Sequence, residues 1–168
     1  SAGRDPAEVL LCAVCKTRTP ETVRDSAALP VDLFGENQMQ ELVVNFDAGA
    51  YLDKPVHFIG HLQANKVKKV VGKAHLIQSV DSLRLLTAIN AEAGKQGIVQ
   101  DILLEVNIGE EESKSGFREE EVLPLLEKIG SFPNICIKGL MAIPPISEKS
   151  GDNLLFFQKI YQLSVDIK

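Results

Sequence analysis

Cysteine is scarce, a long apolar run is missing, and positive charge is in deficit. The three cysteines, Cys12, Cys15 and Cys136, are odd in number and widely spaced. That excludes a disulfide framework and points to a reducing compartment. Cys12 and Cys15 form a CAVC pair, but a redox CxxC normally opens a helix that lowers the thiol pKa. This pair lies in an apolar run that reads as a strand, where positions i and i+3 face opposite sides. Buried small side chains are therefore expected there, not a redox or metal site. No apolar run approaches the ~18 residues of a membrane span, and SAGRDPAEV has no signal-peptide core. The formal net charge of -5 lends no support to nucleic-acid binding as the main task. The motifs GxGxxG, GxxxxGK[ST] and HExxH do not occur either.

What is present is a globular composition, with 45% hydrophobic and 5% aromatic residues in 168. The length suits one sizeable core and not two large domains, so residues 1–168 read as a single domain. A strand followed by a helical stretch recurs along the chain. Strands are expected over 9–15, 31–34, 55–59, 74–78, 101–107 and 135–140. Helices are expected after each of them. The first is announced by Thr19 and Pro20, a residue suited to the first helical position. The third is expected within GHLQANKVKKVVG. The fourth carries Leu83, Leu86 and Ile89 at helical spacing, with Ser79 or Asp81 as its cap.

Six strand–helix units argue for an α/β protein with a parallel sheet. An open doubly wound sheet and a closed barrel are the rivals. Polar residues gather at the ends of successive strands, which is where barrel enzymes place their sites. A complete barrel has eight strands and typically about 250 residues. Six units therefore leave the ring open, and a fragment of a longer barrel is the expectation.

The chemistry-bearing candidates sit at those strand ends. Lys16 closes the run LLCAVCK and is the only charged member of the face shared by residues 10, 12, 14 and 16. It reads either as an ordinary lysine snorkelling to water or as a desolvated amine, nucleophilic toward an aldehyde. In FGENQMQE, residues 34–41, Asn37 can orient a ligand, while Glu36 or Asn37 can equally cap the next helix. His57 and His61 are four apart, but a glycine between them breaks the helical spacing that zinc would need. His57 reads as either a core histidine or a pocket residue. Lys66, Lys68, Lys69 and Lys73 form a basic run, either a solvated helix face or a partner patch. Ser79 ends the fourth strand and Asn107 the fifth. After Asn107, Glu110–Glu112 and Lys114 make a polar loop expected at the mouth. Met141, after the sixth strand, is either core or an apolar wall for a planar ring.

Taken in order, AVCKT, FGENQMQE, HFIGHLQANKVK, SVDS, EVNIGEEESKSG and KGLMAIP cover nearly the whole chain. This series resembles the family of pyridoxal-phosphate homeostasis proteins, related to the barrel domain of alanine racemase. The resemblance implies a TIM-type (β/α)8 barrel of the alanine racemase N-terminal type, incomplete here. It implies pyridoxal 5'-phosphate held as a Schiff base on Lys16, with Asn37 beside the cofactor. His57, Ser79, Asn107 and Met141 would line the same pocket. It further implies a cytoplasmic or mitochondrial, mostly monomeric protein that stores or delivers the cofactor, with PLP-dependent apoenzymes as recipients and no robust turnover. Cys15 stands where the family usually has serine. A serine-rich segment and an RIG-type segment, which hold the phosphate in the family, do not occur in these residues. Weak cofactor binding by this chain is therefore expected. Two alternatives are an amino-acid racemase and a non-catalytic interaction module. Racemisation needs acid–base groups on both faces of Cα, and neither Tyr51 nor Tyr161 is expected near a strand end.

Overall fold

The computed structural model describes residues 5–109, 115–146 and 151–167. The acidic loop Glu110–Glu112 with Lys114 lies outside the described residues. Six parallel strands form one sheet: β1 (Cys12–Val14), β2 (Leu33–Glu36), β3 (Val56–Phe58), β4 (Leu76–Val80), β5 (Gln100–Glu105) and β6 (Ile135–Met141). Their order in space is their order in sequence. A doubly wound sheet reverses direction at a switch point, and no reversal occurs here. Sequential winding is the order of a barrel, so the barrel alternative holds. The sheet is an incomplete (β/α)8 barrel of the alanine-racemase N-terminal type.

Five α-helices are present among the described residues: α1 (Pro20–Ser26), α2 (Met39–Asp47), α3 (Leu83–Gln96), α4 (Glu119–Glu127) and α5 (Leu154–Asp166). Thr19 caps α1 and Pro20 opens it, as its sequence signature implies. The cap of α3 is Ser82, whose hydroxyl accepts from the Leu85 amide. Neither Ser79 nor Asp81 takes that role, because the strand runs further than its apolar pattern suggests and consumes Ser79. The helix expected after β3 is reduced to a 3-10 segment, Ala64–Lys69. Its lysine-rich sequence offers few apolar groups to hold a longer helix on the sheet; Val67, Val70 and Val71 are the buried anchors.

The core lies between the sheet and the helices. Phe34, Phe58, Ile77, Ile102 and Leu104 from the strands meet Leu42, Leu86 and Ile89 from the helices, all of them buried. Burying such side chains contributes roughly 1.5–3 kcal/mol each. Leu83, expected on the apolar stripe of α3, is instead exposed. The other face of the sheet is only half buried, as the strict alternation along β5 shows. Cys12 belongs to that inner face. A Cβ placed on Gly35 would stand 2.7 Å from the Cys12 sulfur and 2.9 Å from Ile59, so the three positions meet inside the curve of the sheet. Cys15 faces the helices and is buried, and all three cysteines are free.

Candidate functional site

Parallel strands in sequential order bring all their C-terminal ends to one rim, and the polar residues collect there. A cavity of about 300 Å³ opens on this rim, lined by Asn37, Ser79, Glu105, Asn107 and Met141 among others. Four of the six residues expected from the sequence thus share one cavity. Asn37 follows β2 directly, and its side-chain oxygen Oδ1 is buried without a hydrogen-bond partner. Ser79 is buried and donates from its hydroxyl to the Gly60 carbonyl at 2.5 Å. A register shift between Ile77 and Val80 inserts an extra residue at this point of β4, and such bulges re-aim side chains. The Asn107 amide donates to the Phe117 carbonyl at 2.9 Å, and the Phe117 amide donates back to Glu105 at 2.8 Å. The loop after β5 is thereby folded back on the strand end. Met141 pairs in register with Glu105.

Lys16 and His57 do not line this cavity. Lys16 is exposed in the turn after β1. The β1–β2 register matches Cys12 with Leu33, Ala13 with Phe34 and Val14 with Gly35. The pairing ends there: the Cys15 amide donates to the Gly35 carbonyl at 2.9 Å, and Lys16 follows in a turn one residue further on. His57 sits deeper, paired with Gly35 and Leu76. Its Nδ1 lies 2.8 Å from the Gln78 amide nitrogen, which donates to it. Burial, with His75 adding to it, pushes the His57 pKa down. The imidazole is therefore neutral at physiological pH and braces the barrel interior below the cavity.

Two cavity groups escaped the sequence reading. Glu105 lies two positions before Asn107, and period-2 alternation puts both on the inner face; that spacing was the available signal. Burial raises its pKa, Asp81 raises it further, and His61 opposes them. His61 itself carried no local signal beyond its distance from His57. Its Nδ1 lies 3.2 Å from Asp81 Oδ2, and both residues line a second cleft of about 620 Å³ beside the first. No group of three or more histidines, cysteines or acids placed to hold a metal exists among the described residues.

Glu36 or Asn37 was a candidate cap for α2, and the structure gives the position to neither. The N-cap position is Gln38, without a side-chain bond. Glu36 points the other way, toward the helices, where its Oε1 accepts from Asn45 at 2.7 Å and from the Tyr51 hydroxyl at 2.9 Å. Tyr51 therefore does reach a strand end, but on the helix side of the sheet. The basic run is partly structural: Lys73 pairs with Asp47 at 3.0 Å and stands 4.2 Å from the Phe46 ring centroid.

The fold and the rim site define a β/α barrel domain of the alanine-racemase N-terminal class. The family model for the alanine racemase N-terminal domain matches residues 5–163. The pyridoxal phosphate homeostasis protein of Aquifex aeolicus is 40% identical over 167 residues, covering 99% of this chain and 73% of that protein. Its counterpart in Pseudomonas aeruginosa is 34% identical, with 99% and 73% covered. The crystal structure of PipY from Synechococcus elongatus with PLP bound superposes with a TM-score of 0.85 at 26% identity, covering 98% of this chain and 76% of that one. An alanine racemase of Clostridium difficile, at 16% identity and a TM-score of 0.73, shares the fold. The chain belongs to the pyridoxal phosphate homeostasis protein family.

Proposed function

We propose that this chain binds pyridoxal 5'-phosphate for intracellular cofactor homeostasis, with Lys16 as the Schiff-base lysine. The observation that carries the reading is the pairing of two strand ends. Lys16 in the turn after β1 and Asn37 directly after β2 leave two adjacent paired strands, and Asn37 lines a small cavity on that rim. At about 300 Å³ the cavity matches the lower end of small-molecule sites, ~300–1,000 Å³. The bound cofactor supplies an electrophilic aldehyde and an electron-withdrawing ring. Met141 offers an apolar wall to a planar ring, and Ser79 and Asn107 offer polar groups at its edge. Among the described residues that line the cavity there is no lysine or arginine, and Glu105 is acidic. The cavity thus suits the ring better than the phosphate, and these residues alone hold the cofactor weakly. Delivery to PLP-dependent apoenzymes in the cytoplasm completes the reading.

Racemase chemistry has less support. The Tyr51 hydroxyl is committed to Glu36 behind the sheet, and Tyr161 is exposed on α5.

The test is to incubate the chain with pyridoxal phosphate, reduce with borohydride and map the modified peptide by mass spectrometry. Modification at Lys16, lost in Lys16→Ala, is expected. Labelling that persists undiminished in Lys16→Ala sinks the proposal. Complete capture at equimolar cofactor would overturn the weak-binding part alone.

A further inference from the structure

Thr17, the residue after Lys16, has a φ of 62°. That is the left-handed region, which a β-branched residue rarely enters. Among the described residues only one other non-glycine, Leu52, has a positive φ, and it lies in the connection after α2. Such a conformation persists where its surroundings over-determine it. Here the Thr17 amide donates to Glu41 Oε1 at 2.7 Å. The Arg18 amide, next along, closes the turn on the Cys15 carbonyl at 3.0 Å.

Glu41 is in a strong position to impose this shape. It sits in the first turn of α2, where a carboxylate is favoured by the helix dipole. The helix is itself fixed to β2: Leu42 is fully buried, and Asn45 donates to the buried Glu36. A charge-assisted bond from a fixed helix to a strained amide is stronger than a neutral one. The second oxygen, Oε2, is buried without a partner, so the side chain is not free to swing into water. Glu41 is the last residue of FGENQMQE.

We propose that Glu41 is a positioning residue for Lys16: by holding the Thr17 amide it fixes the left-handed turn that follows the lysine and so sets the direction in which the lysine leaves β1. The inference rests on Lys16 being the cofactor lysine. Without the bond, Thr17 relaxes toward negative φ, and the chain leaves β1 in a different direction. Lys16 then samples orientations away from the cavity, and its capture of the aldehyde falls.

The experiment follows borohydride-trapped pyridoxal phosphate on Lys16 as a function of cofactor concentration. Circular dichroism and the melting temperature report on folding. Glu41→Ala is expected to raise the half-saturating concentration about tenfold, equivalent to about 1.4 kcal/mol. Glu41→Gln keeps an oxygen acceptor at the same reach and is expected to retain most of the capture. Adding Thr17→Gly to Glu41→Ala is expected to recover much of the loss, because glycine enters the left-handed region without penalty. A purely structural glutamate would not be rescued in this way. If Glu41→Ala does not fold, Glu41→Asp replaces it, being charged but one methylene too short to reach the amide. A folded Glu41→Ala or Glu41→Asp variant that traps cofactor like the parent overturns the proposal, and so does failure of Thr17→Gly to restore capture. Unchanged trapping in Lys16→Ala is a separate outcome: it removes the cofactor lysine itself, whatever Glu41 does.

Discussion

Glu36 is the residue whose sequence context said least about its role. It stands in a polar octet, yet it is fully buried, and its Oε2 has no partner. Burial raises its pKa, and the bonds from Asn45 and Tyr51 pull the other way but less. The unfolded carboxyl loses its proton near about pH 4.3, and the folded one does so at higher pH. The stabilisation linked to this group is therefore complete below the unfolded value and declines as pH rises through the folded one. Glu36→Gln keeps an oxygen for both donors and does not titrate. Its melting temperature is expected to gain on the parent's as pH rises above about 4. A difference that stays flat over that range contradicts the assignment. Lys16, Asn37, Ser79, Asn107 and Met141 all lie within two residues of a strand's C-terminal end, a placement the apolar pattern already implies. The role of Glu36 was not legible, because the direction of its side chain depends on Asn45 and Tyr51, nine and fifteen residues away. Cys15 was read correctly as a buried small residue: burial and the nearby Glu36 push its thiol up to about 12, so it is inert at neutral pH.

At the scale of elements, the strand–helix alternation was plain in the apolar pattern, and each strand was found to within a few residues. Two features were not. The bulge in β4 and the shift in β6 between Ile102 and Leu103 of its partner depend on the neighbouring strand, not on local sequence. The β2–β3 junction shows how tight these ends are. A Cβ on Gly60 would stand 2.1 Å from the Asn37 carbonyl oxygen, and backbone on both sides leaves nothing flexible to yield. Gly60→Ala is therefore expected to cost at least the ~1–3 kcal/mol typical of overpacking. It should also displace Asn37, lowering the melting temperature and cofactor trapping together. A melting temperature equal to the parent's would show that the two strand ends can separate freely.

The whole molecule is an arc of six strands whose first and last members do not pair with each other. Exposed apolar side chains flank both ends of the arc. Val9, Leu10 and Leu11 lead into β1 and Val14 ends it, while Leu154, Leu155, Phe157 and Tyr161 lie on α5. Unpaired strand edges beside apolar surface favour association. These 168 residues on their own are expected to bind a hydrophobic dye and to self-associate as concentration rises, read by sedimentation velocity. Leu155→Glu with Phe157→Glu should weaken that association. A dye-silent chain, monomeric at every concentration, would show the edges to be covered by some arrangement other than the one described. The chain spans 73% of the Aquifex aeolicus relative's length.

The sequence by itself determined the class of fold, the succession of elements and the rim on which the polar residues lie. These follow from periodicity and from turn chemistry, both of them local. The choice between an open sheet and a barrel was decided by strand order, which is a property of pairing between distant segments. Only the tertiary structure separated the inner-face residues that meet in the cavity from Glu36 behind the sheet and His57 beneath it. The same holds for Lys16: its place at the end of β1 was readable from the chain, but the left-handed turn that follows it is held by a carboxylate twenty-four residues on.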